Sequence, residues 1–77
     1  MQNTVRNNLE SALGFSGHIH TLVTAVELPS GAKEVAINTD KLEAKIGYIL
    51  NAYDTEMRLR TNPEIVMVDA MIVYGDR

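Results

Sequence analysis

The chain has 77 residues, of which 45% are apolar, 22% charged and none cysteine, with a formal net charge of −3. That composition suits one globular domain over residues 1–77 and excludes disulfides and thiolate metal sites; the acidic balance argues against broad contact with a phosphate backbone. A chain this short builds a modest core, worth about 3–5 kcal/mol net, so pairing of identical copies is the remaining common device for reinforcing it.

The first ten residues are polar, without the apolar run that opens a secretory leader. The longest nearly apolar stretch, Ile65 to Tyr74, falls short of the ~20 residues that span a bilayer. The expectation is a cytoplasmic protein with no membrane contact, and the lack of cysteine agrees with a reducing compartment.

Five elements follow in chain order. Val5, Leu9, Ala12 and Leu13 fall on one face of a helix over about Thr4 to Leu13. Asn3 or Thr4 can cap its start, and Gly14 and Gly17 punctuate its end. His18 to Leu28 alternates and is rich in valine and threonine, as is expected of a strand. Lys33 to Ile37 continues the alternation, with Val35 and Ile37 on one face. Pro29-Ser30-Gly31-Ala32 between the two runs supplies a turn, so the pair reads as a hairpin. A rival all-α reading, a helical hairpin, runs one helix from Thr4 to Leu28 through Ala12, Phe15, Ile19, Leu22 and Val26. It places Gly14 and Gly17 inside the helix, at about 1 kcal/mol each.

Asp40-Lys41-Leu42-Glu43 resembles a capping box, with Asp40 as the cap. The stripe Leu42, Ile46, Ile49, Leu50, Tyr53, Met57 then predicts one long amphipathic helix that ends before Pro63, with Asp54–Arg58 and Glu56–Arg60 as pairs four residues apart. Glu64 to Tyr74, dense in β-branched residues, predicts a strand buried on both sides, although Asn62-Pro63 would also open a third helix. The expected fold is α+β in the order α-β-β-α-β, a three-stranded sheet with the long helix across one face. The second face is left for the first helix or for another copy of the protein.

No glycine-rich phosphate loop, nucleophile elbow, paired-carboxylate motif or zinc signature is present, so the chain reads as a non-enzyme without a cofactor. His18 and His20 would share a strand face and are weak metal candidates. Two imidazoles are an incomplete site, and Asp69, Asp54 or Glu27 would have to complete it. Lys41, Lys45, Arg58 and Arg60 form the only basic cluster, offset by Asp54 and Glu56, which makes nucleic-acid regulation the weaker alternative. Asp69, isolated in an apolar run, is a candidate buried carboxylate or the wet edge of a sheet face. Gly47 in the long helix either permits close approach of another backbone or is a tolerated weakness. Tyr48, Met67, Asp69, Met71, Val73 and Tyr74 are the candidate interface for a homodimer or a protein partner. No motif identifies a named family; the size, acidity and lack of cysteine resemble in style the small regulatory accessory proteins carried by phages and prophages.

Overall fold

The computed structural model describes residues 3–14 and 18–75. Its elements are α1 (Thr4–Leu13), β1 (Ile19–Glu27), β2 (Lys33–Asn38), α2 (Leu42–Ala52), β3 (Arg58–Leu59) and β4 (Asn62–Tyr74). The fold is α+β: one antiparallel four-stranded sheet in the order β2-β1-β4-β3, with two helices. The all-helical alternative does not form, because Ile19 to Glu27 is a strand. The fourth strand and the short second helix are the departures from the expected three strands and one long helix.

Asn3 caps α1 as its short side chain allows, accepting a hydrogen bond from the Arg6 amide at 3.1 Å. Gly14 ends the helix, and Gly17 lies outside the described residues. Leu9 and Ala12 are buried, as the spacing requires. The β1–β2 hairpin forms around the expected turn: Leu28 N–H donates to the Ala32 carbonyl, Gly31 N–H donates to the Leu28 carbonyl, and Gly31 adopts φ 92°. Proline presets the first turn residue and glycine accepts the left-handed one.

The capping box does not form. Lys41 precedes α2 in a left-handed conformation, φ 53°, and no side chain caps the helix. The apolar stripe also breaks early. Tyr53 is extended, and residues 54–58 make a second turn of the same design, with Asp54 N–H donating to the Arg58 carbonyl and Met57 N–H to the Asp54 carbonyl. Met57, φ 62°, stands where the first turn has Gly31. One Asp54 carboxylate oxygen accepts from the Glu56 and Arg58 amides at 2.8 and 3.0 Å, so the chain exchanges helical bonds for side-chain ones. The expected helical ion pairs of Asp54 and Glu56 are replaced by this turn.

Met57 and Tyr53 are buried all the same, which is why their spacing imitates a helix stripe. The core lies between the two helices and one face of the sheet: Leu9 and Ala12 from α1, Leu42, Ile46 and Ile49 from α2, and Ile19, Leu22, Met67 and Ala70 from the strands. Two bulges set which strand residues reach it. The pairing Ile19↔Tyr74 followed by Thr21↔Val73 leaves His20 unpaired, and Ala25↔Asp69 followed by Val26↔Met67 leaves Val68 unpaired. Each bulge flips the alternation once. Ile19 and Leu22, and likewise Met67 and Ala70, therefore face the core three residues apart. β4 is not buried on both sides, because both helices occupy the same face of the sheet and α1 does not cover the other.

The C-terminus of α2 is closed by two arginines from elsewhere in the chain. Arg6 donates to the Leu50, Tyr53 and Asp54 carbonyls at 3.3, 3.3 and 3.1 Å. Arg60 donates from Nε to the Asn51 carbonyl at 3.0 Å and from its amide to the Ala52 carbonyl at 2.9 Å. Carbonyls without intrahelical partners are thereby satisfied, and cations sit at the negative end of the helix dipole.

Candidate interaction surface

Strand pairing fixes what the uncovered face presents, because directly opposed residues share a face. Ile37, Val23 and Met71 form one row across β2, β1 and β4; Val35, Ala25 and Asp69 form the next. Thr21 and Val73 flank them on one side, and Lys33, Glu27 and Val66, with Arg58 of β3, on the other. Val35, Ile37, Met71 and Val73 are 64, 68, 54 and 41% exposed. Four large apolar side chains in adjacent rows make a contiguous patch of roughly 400 Å², the size of the largest apolar patch on a typical monomer, which is often a functional surface.

The structure brings together three of the six candidate interface residues, Asp69, Met71 and Val73. Met67 is inside the core, placed there by the Val68 bulge. Tyr48 projects from α2 on the other side of the molecule, with the Lys45 ammonium 5.6 Å from its ring centre. Tyr74 pairs with core-facing Ile19 at the end of β4, beside a cavity of ≈ 410 Å³ that also meets Asn8 and Ser11 of α1. Val35 and Ile37 are the residues that sequence reasoning left out of the interface. The alternation of β2 carried the signal, since both sit on one face of an edge strand. Asp69 is exposed on the open face rather than buried, which is the wet-edge expectation.

The other candidates disperse. His18 is exposed and precedes β1, while His20 is the bulge residue, its Nδ1 2.6 Å from the Thr21 hydroxyl. The bulge breaks the alternation that would have aligned the two rings. Among the described residues no set of three histidines or carboxylates comes together to hold a metal ion. Arg58 and Arg60 are not on a helix; Arg58 donates to the Pro63 carbonyl at 3.2 Å, and Arg60 closes α2. Lys41 and Lys45 belong to the helix layer. A cleft of ≈ 420 Å³ between α2 and the β1–β2 hairpin is walled by Tyr48, Tyr53, Lys45 and Glu34. Burial, reinforced by Tyr48, holds the Tyr53 phenol above its usual pKa. Backbone hydrogen bonds from Arg58 and Glu56 hold the Asp54 carboxyl below its own. No helix is long and apolar enough to cross a membrane among the described residues.

Comparison with known proteins gives no match: no family model, no curated protein and no solved structure resembles the chain.

Proposed function

We propose that the protein is a non-enzymatic interaction module that works by binding another polypeptide through the open face of its sheet. The observation that supports this is the row-aligned apolar quartet Val35, Ile37, Met71 and Val73, which the chain's own helices leave uncovered. Burying such a patch is favourable at about 25 cal/mol per Å² of apolar area before the costs of association. The engagement of Arg58 and Arg60 with backbone carbonyls weighs against the nucleic-acid alternative.

The test is affinity capture from native lysate with the wild type and with Ile37→Lys and Met71→Lys. Both side chains are exposed, so neither substitution disturbs the core, and equal thermal midpoints are the expected folding control. The reading expects a partner, or a second copy, held by the wild type and lost by both variants. A partner retained by both variants, or binding to the opposite helix layer, refutes it.

A further inference from the structure

We infer that the open face is covered by a second copy of this chain, the two sheets stacked about a two-fold axis parallel to β1. This rests on the reading that the face binds protein, and it names the occupant. β1 runs between two apolar flanks, Val35 and Ile37 on β2 and Met71 and Val73 on β4. A two-fold along β1 exchanges the flanks. Val23 then meets Val23 of the second copy, and Ile37 meets Met71. The two flanks also carry opposite charges on this face: Lys33 on β2 and Asp69 on β4. Exchange sets Asp69 against Val35 of the second copy, one row from its Lys33. Two residues of strand are about 6.6 Å, within reach of a lysine stem. Within its own chain Asp69 has Ala25 opposite it and Val35 beyond, and the own-chain cation one row away on β3, Arg58, donates to the Pro63 carbonyl, so Lys33 of the second copy adds a cation for this carboxylate when the face is covered. Glu27, which approaches its own copy near the axis, has Lys33 opposite it on β2 and Val66 opposite it on β4, with Arg58 of β3 beyond.

Area supports the same occupant. The apolar quartet with its rim offers several hundred Å² per copy, which in a pair reaches the roughly 1,000 Å² that a specific interface needs. Two twisted sheets stack with their strands within about 30° of each other, so the rows stay in register near the axis.

The experiment is sedimentation equilibrium of the wild type, Lys33→Asp, Asp69→Lys and the double variant, at micromolar concentrations. The thermal midpoint of each dilute monomer serves as the folding control, since Lys33 also faces Glu27 within the chain. The inference expects a dimeric wild type, dissociation constants raised about tenfold or more in each single variant, as befits loss of one member of a desolvated charge pair, and recovery in the double variant. A dimer indifferent to Asp69→Lys, or not restored by the charge exchange, overturns the arrangement. A wild type that stays monomeric overturns the second copy as occupant and leaves the protein-binding reading to the capture experiment alone.

Discussion

Removing the Arg6 guanidinium tests how the two helices are joined. Arg6 on α1 reaches three carbonyls at the end of α2, and its side chain is 19% exposed. A hydrogen bond from a charged donor contributes about 1.5–3 kcal/mol net, and the dipole adds a few tenths more. The three bonds share one cation, and two of them are long at 3.3 Å, so they do not sum. Arg6→Ala should cost about 2–3 kcal/mol. In a domain of this size that lowers the thermal midpoint by about 10–20 °C. Arg6 also pairs with Glu10 at 3.3 Å, but Glu10 is 53% exposed. An exposed pair of this kind is worth about 0.5 kcal/mol or less and is screened by salt. Thermal and urea unfolding, followed by circular dichroism at one fixed protein concentration in low and high salt, separates the contributions. Arg6→Ala should lose most of its stability at both salt concentrations, Arg6→Lys should recover part of it, and Glu10→Ala should lose little. Equal losses in Arg6→Ala and Glu10→Ala, or a loss in Arg6→Ala that salt abolishes, would refute the cap.

Other substitutions test the two turns and the helix. Gly31→Ala should cost about 1–2 kcal/mol in urea unfolding although its Cβ meets nothing within 4 Å, because φ is 92°. Gly47→Ala, with equally open space in the middle of α2, should instead stabilise by about 0.5–1 kcal/mol; a loss would show that something packs against that face. Met57→Gly relieves a left-handed residue but empties a fully buried side chain, and should destabilise by about 2 kcal/mol in the same assay. Asp54 has a folded-state pKa below its unfolded one, so its stabilisation is present above the usual aspartate value of about 4 and is lost as pH falls through the folded pKa. Urea midpoints measured across acidic pH should show this component in the wild type and not in Asp54→Asn.

The readable parts of the fold were those where local chemistry and tertiary structure agree. α1 carried its cap and stripe, and the first hairpin carried Pro29 and Gly31 at the positions that its turn requires. The second turn was hidden because Met57 occupies the glycine position, and Thr55, Glu56 and Met57 read as helix. What stops α2 is the Asp54 carboxylate, which bonds the Glu56 and Arg58 amides in place of a continued helix, together with Arg60 and with Arg6, whose contact lies 48 residues away and outside any local window of sequence. On the candidate surface, Asp69, Met71 and Val73 were legible because they alternate along one strand. Met67 was misplaced because the bulge at Val68 shifts the phase, and no residue type in that run announces a bulge. Val35 and Ile37 alternate visibly, but their exposure follows from both helices packing on the same side, a matter of topology.

The claim that the open face is covered in solution can be tested through its methionine. Met71 is 54% exposed in the single chain, whereas Met57 and Met67 are buried and serve as internal references. Peroxide oxidation followed by mass spectrometry should find Met71 protected at high protein concentration or with the captured partner, and reactive on dilution or in Ile37→Lys. Rapid oxidation of Met71 at one unchanging rate under all these conditions would contradict the account.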